Sequence, residues 1–329
     1  MTTSKPPRQV TSGIWNWKKW LPSCAEKNIV SMGEGNTSLI QSLNEKNVYY
    51  KLEFENPTGS FKDRGSTVEI SFAKQDGYQK VICASTGNMG ASVSAYAARA
   101  GIAATICVPH HVPENKLKQI QAYGAKLIQV KGDYQAALKR TWEIAAKDKK
   151  FMLTGDYPLR MEGQKTIAFE VVEQLRHQTG KIPDQIICPI GNGTLLTALH
   201  AGFVEMRKAR EVKRIPRLIG VQAGTCAPLF TAWKNHTMRF SPLKNPRTIA
   251  GAIECGNPIY GLEALMAVKQ TDGQILSVSE NEMRNAKLSL ARKEGLYAEY
   301  SGAAVQAVVE KHPFKGTTVA LLCGHGLKE

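Results

Sequence analysis

Lys62 stands in the run Asn56-Pro57-Thr58-Gly59-Ser60-Phe61-Lys62-Asp63-Arg64, where turn residues hand over to a helix-compatible stretch. Ser60 is a natural N-cap, so the spacing predicts that this lysine falls in the first helical turn. A cation there opposes the helix dipole. The local field then favours the neutral amine, the form that condenses with an aldehyde to give an imine. A lysine taken at random from the 43 lysines and arginines of this chain is a solvated surface group. Three other segments set this one apart.

Each of the three reads as an apolar strand running into a turn rich in Gly, Ser, Thr and Asn. Lys80 to Ala84 leads into Ser85-Thr86-Gly87-Asn88-Met89-Gly90 and the helical run Ala91 to Ala100. Gln185 to Ile190 ends in Gly191-Asn192-Gly193-Thr194, ahead of the helical run Leu195 to Arg210. Thr318 to Leu322 closes on Cys323-Gly324-His325-Gly326-Leu327-Lys328. Amides at a helix start converge on an anion, and Ser85 and Thr86 add hydroxyls to the first turn. The second turn holds no Asp or Glu to compete with a phosphate. His110, His111 and His236 lack the acidic spacing of a zinc site, so no metal is expected. His325, between glycines, reads as part of a tight turn. Neither a Gly-x-Ser-x-Gly elbow nor a Walker sequence is present.

The elements that must position these turns alternate. Strands are expected near Val48 to Phe54, Lys80 to Ala84, Ala104 to Val108, Lys126 to Val130, Gln185 to Ile190, Arg217 to Gln222, Gln274 to Val278 and Thr317 to Leu322. Helices are expected near Asp63 to Gln75, Met89 to Ala100, Glu114 to Tyr123, Tyr134 to Asp148, Met161 to Gln178, Leu195 to Lys208 and Glu280 to Glu294. The alternation predicts an α/β fold with parallel sheets covered on both faces. Pro113-Glu114 reads as a helix opening, Gly132-Asp133 as a capped start, and Asn235 to Gly256 as a long loop.

A chain of 329 residues can bury a substantial core and hold two domains. No apolar run approaches about 20 residues, so no membrane span is expected. Neither the polar start, Met1 to Pro7, nor Trp15 to Trp20 reads as a secretory leader. Seven scattered cysteines without a Cys-x-x-Cys pair point to a reducing cytoplasm. The net charge of +15 is densest around Arg207, Lys208, Arg210, Lys213, Arg214 and Arg217. Elsewhere bases and acids are interleaved, so the surface is read as one that draws in anionic substrates, with no nucleic-acid partner.

In this order, the segments resemble the threonine synthase branch of the fold-type II pyridoxal phosphate enzymes. The likeness spans nearly the whole chain. It includes Gly33 to Leu39, Asn56 to Arg64, Ser85 to Asn88, Arg160-Met161-Glu162-Gly163-Gln164-Lys165-Thr166, Gly191 to Thr194 and Gly324 to Lys328. It implies a two-domain, tryptophan synthase β-like α/β fold: residues 60–153 a small mobile domain, residues 1–59 and 154–329 a large one, with the active site in the cleft between. It further implies that Lys62 carries pyridoxal 5'-phosphate as a Schiff base and shuttles protons. Asn88 would bond the ring hydroxyl. Gly191, Asn192, Gly193 and Thr194 would grip the phosphate, and Cys323 would face the ring nitrogen. Ser85, Thr86 and Gly87 would hold the substrate carboxylate, with Arg160 on a substrate phosphate.

The implied reaction is that of a homodimeric threonine synthase acting on a small, phosphorylated amino acid, O-phosphohomoserine. The alternative is a related β-eliminating or β-replacing lyase for serine, threonine or O-phosphoserine, including a cysteate synthase-like activity. Four positions depart from the family pattern. Cys323 stands where relatives usually carry Thr or Ser, Met89 where the best-known bacterial type has Thr, and Thr154-Gly155 where that type has Asn-Ser.

Overall fold

The computed structural model describes residues 13–329 apart from Thr86, His111, Pro113 and Asp133. The chain runs β1 (Leu39–Gln41), β2 (Val48–Lys51), α1 (Lys62–Gln75), β3 (Lys80–Ala84), α2 (Asn88–Ala100), β4 (Ala103–Pro109), α3 (Glu114–Ala122), β5 (Lys126–Val130), α4 (Tyr134–Lys147) and β6 (Phe151–Leu153). It continues through α5 (Pro158–Gln164), α6 (Thr166–Thr179), β7 (Gln185–Pro189), α7 (Thr194–Lys208), β8 (Arg217–Ala223), α8 (Pro228–Lys234), α9 (Gly261–Gln270), β9 (Gln274–Val278), α10 (Glu280–Glu294), α11 (Tyr300–Lys311) and β10 (Thr318–Leu321). Of the expected openings, Pro113 and Asp133 lie outside the described residues, and α3 starts at Glu114.

Two sheets result. One has the strand order β1-β2-β10-β7-β8-β9, parallel except for the β1–β2 pair. The other, β5-β4-β3-β6, is wholly parallel. All residues of β7 and β10 are buried, because helices cover both faces and leave no solvent side for alternation. The strand expected as Val48 to Phe54 is shorter: it stops at Lys51, and Glu53–Glu55 form a 3-10 turn. The helix expected from Met161 to Gln178 is two helices meeting at Lys165.

The helix bearing Lys62 is fixed from behind. Gly163 on α5 lies so close to α1 that a Cβ there would sit 1.8 Å from the Arg64 carbonyl oxygen. Arg64, fully buried, donates to both Glu53 carboxylate oxygens and to both Glu170 oxygens, each at 2.7 Å. Lys51 Nζ reaches Glu170 at 2.9 Å and the Thr37 carbonyl at 2.6 Å. Buried charges survive only when paired and hydrogen-bonded, and this closed network meets that condition. Ser60 does not cap α1 as expected. Phe61 takes the N-cap position without a side-chain bond, and the buried Ser60 hydroxyl has no hydrogen-bond partner among the described residues. Asp63 closes the turn from inside the helix, accepting the Thr58 N–H and hydroxyl at 2.6 Å each.

Candidate active site

The turns after β3, β7 and β10 open onto one cleft of ≈ 1620 Å³, lined by Lys62, Ser85, Gly87, Asn88, Gly191, Asn192, Gly193, Thr194 and Cys323. Of the residues singled out in the sequence, these are brought together. Thr86 lies outside the described residues. A crevice at the carboxyl ends of parallel strands is where open α/β sheets bind ligands.

Lys62 is the first residue of α1. The preceding turn is stapled to the turn after β10, for the Phe61 N–H donates to the Cys323 carbonyl at 3.0 Å. The ε-amine lies 4.7 Å from the Phe61 ring centroid and makes no hydrogen bond or ion pair with the described residues. Burial holds its pKa below the ordinary lysine value. Asp156 pulls it back up, Arg160 pushes it further down, and Cys323 and Glu299 oppose the fall. The result favours a neutral, nucleophilic amine.

Two helix starts line the same cleft. At α7, no side chain of the described residues caps the first amides, and Gly193 takes φ +87°, where a Cβ would come 2.5 Å from the Tyr260 carbonyl oxygen. At α2, the Ser85 hydroxyl oxygen accepts the Gly90 N–H at 2.7 Å and the Gly87 N–H at 3.2 Å. That leaves its own proton free to donate. Asn88 Nδ2 donates to Glu299 at 2.8 Å. Cys323 is buried, and burial raises its thiol pKa well above the ordinary value, with Cys188, Glu53 and Glu299 adding to the effect. The thiol is therefore neutral. His325 is structural here: its Nδ1 accepts the Leu327 N–H and its ring stands edge-on to Phe54.

Arg160 is not brought to the cleft. Fully buried, it donates through Nε to the Gly155 carbonyl, through Nη1 to the Lys62 carbonyl, and through Nη2 to Ser66 and to the Glu69 carboxylate. Four of the roughly five N–H groups of a guanidinium are thereby spent, and its charge is paired. The Met89 thioether lies over Gly155, with Sδ 3.5 Å from where a Cβ would stand.

Three acids here were not singled out in the sequence. Glu299 sits so close to Gly324 that a Cβ there would come 2.3 Å from its carboxyl carbon. Asp156 lines the cleft and accepts from Asn192 Nδ2 at 2.6 Å and Thr194 Oγ1 at 3.3 Å. Glu69 holds Arg160. Only the position of Asp156, between Gly155 and Arg160, offered a signal, and local sequence gave it no chemistry.

Residues 30–324 match the family model described as pyridoxal-phosphate dependent enzyme. The chain belongs to that family. It is 39% identical to a threonine synthase of Methanocaldococcus jannaschii, over 96% of this chain and 81% of the relative. It is 40% identical to a threonine synthase of Bacillus sp. (strain ULM1), over 95% of this chain and 89% of the relative. Two solved structures share its fold: the processed form of threonine deaminase isoform 2 from Solanum lycopersicum (TM-score 0.75, 20% identity, 99% and 90% covered) and a maize serine racemase (TM-score 0.76, 17% identity, 96% and 94% covered).

The cleft fits pyridoxal phosphate. Uncapped amides at α7 suit a phosphate, an unpartnered amine at Lys62 suits an aldehyde, and a neutral thiol offers a weak donor. Gly193→Ala is expected to weaken cofactor affinity at least about tenfold, read by absorbance titration, because the left-handed backbone and the Tyr260 carbonyl both resist a Cβ. Cys323→Ser is expected to keep cofactor binding and to change turnover modestly. An identical spectrum and rate would remove any electronic role for the thiol.

Proposed function

We propose that this enzyme is a threonine synthase that takes O-phospho-L-homoserine and water to L-threonine and phosphate. The observation carrying this reading is the unpartnered Lys62 amine in a cleft walled by two helix starts. The threonine synthase relatives, matched over nearly the whole chain, support it. Gly191, Asn192, Gly193 and Thr194 would hold the cofactor phosphate, Asn88 the ring hydroxyl, and Ser85, Thr86 and Gly87 the substrate carboxylate. When bound, pyridoxal phosphate stabilises the electron pair left on Cα after proton removal.

Lys62, its pKa lowered by burial, would take the Cα proton, pass it on, and then take a proton from Cβ. The Cγ–O bond breaks and phosphate leaves. Water then adds its hydroxyl at Cβ, its remaining proton going to the released phosphate, and protons return to Cγ and Cα. One base can serve each step because each acceptor carbon lies along the same short chain. Closure of residues 60–153 over the cleft would exclude water until the addition step. The Asn88–Glu299 and Lys328–Gln119 bonds, which join elements of the two sheets across the cleft, support such coupling. A homodimer in the reducing cytoplasm completes the reading, and seven unpaired cysteines accord with it.

The Arg160–Glu69 pair and Met89 over Gly155 favour a second reading, a lyase for a hydroxy amino acid. A side-by-side assay separates the two. Phosphohomoserine should release equal phosphate and threonine. Ammonia from serine or threonine, with no phosphate from phosphohomoserine, would replace the first reading with the second.

A further inference from the structure

We propose that Asp156 is a built-in competitor for the cofactor phosphate: its carboxylate occupies the two side-chain donors of the α7 cradle, Asn192 and Thr194, and so weakens cofactor retention. The inference rests on the cradle assignment made above.

Asp156 is delivered by the turn between β6 and α5, and that turn cannot retreat. The Gly155 N–H donates to Glu69 at 2.8 Å, and the Gly155 carbonyl accepts from Arg160 Nε at 2.8 Å. The acceptor side of Asn192 is equally fixed: Oδ1 receives the Cys255 thiol at 2.9 Å, and the Asn192 carbonyl receives the Tyr260 N–H at 2.9 Å. The Asn192 amide therefore cannot turn over to offer Nδ2 elsewhere without losing the thiol contact. Thr194 has one hydroxyl proton, which points to Asp156.

A phosphate seated on the uncapped α7 amides needs these same protons and meets a second anion beside them. Asp156 has no ion-pair partner among the described residues, and the nearby Arg160 is committed to Glu69. Repulsion between two anions in a partly enclosed cleft is screened little by salt. An asparagine keeps the shape and removes the charge.

The test titrates full-length protein, freed of cofactor, with pyridoxal 5'-phosphate and with pyridoxal, in the wild type, D156N and D156S, following binding by absorbance. Circular dichroism melts confirm that each variant is folded. The expected result is at least about tenfold tighter pyridoxal 5'-phosphate binding in both variants, with pyridoxal affinity within about twofold of wild type. Unchanged or weaker binding of the phosphorylated cofactor in the two variants overturns the proposal. So does equal tightening for both probes, which would mean that the charge acts through Lys62. If D156N and D156S themselves bind the two probes equally, the cradle assignment falls and the proposal with it.

Discussion

Lys62→Ala is expected to yield a folded protein that no longer fixes its cofactor and turns over substrate at least about 10³-fold more slowly. A positioned general acid–base group contributes roughly 10²–10⁴ in rate. Lys62 is asked both to anchor the cofactor and to move several protons, so the loss lies toward the upper end. Borohydride treatment followed by peptide mapping should label position 62 in the wild type and nothing in the variant. A thermal melt close to that of cofactor-free wild type completes the result, because the side chain makes no hydrogen bond with the described residues that its removal would orphan. Full activity in the variant would remove the mechanism at its root.

The second large effect concerns stability. Glu170→Gln leaves Arg64 and Lys51 buried with too little negative charge, and breaking such a pair costs about 3–5 kcal/mol. Denaturant unfolding of the cofactor-loaded protein should show that loss at neutral pH. The two cations hold the Glu170 carboxyl down at about 2 despite its burial. An unfolded glutamate titrates near about 4.3. A folded pKa below the unfolded one gives stability that is complete above about 4.3 and fades as pH falls toward 2. The gap between wild type and variant should therefore narrow across that window. A constant gap would mean that packing, not charge, is what the substitution removes.

Much of the fold could be read from the chain because parallel strands leave plain marks. Buried runs such as Ile186-Ile187-Cys188 are followed by glycine-rich turns, and those turns fall at one edge of each sheet by topology alone. Lys62, Ser85, Gly87, Asn88, Gly191 to Thr194 and Cys323 meet in the cleft for that reason. What escaped was set by tertiary partners. Ser60 looks like a cap, but Asp63 satisfies the turn instead. Arg160 looks like a free cation until Glu69, on another helix, is seen against it. Asp156 gains meaning only when Asn192 and Thr194 arrive from far along the sequence. Helix α11, rich in small residues and buried on nearly every side, lacks the two-faced periodicity that betrays a surface helix.

The strand order of the larger sheet bears on how the molecule is born. β10 is inserted between β2 and β7, although it is the last strand made. While the ribosome is still working toward residue 318, β2 and β7 each present an unfilled edge, and a nascent chain in that state is open to misassociation. The four-stranded sheet uses only residues 80–153 and faces no such wait. Pulse-labelled synthesis should therefore find protease resistance there first, with the cofactor pocket appearing only after β10 has threaded home.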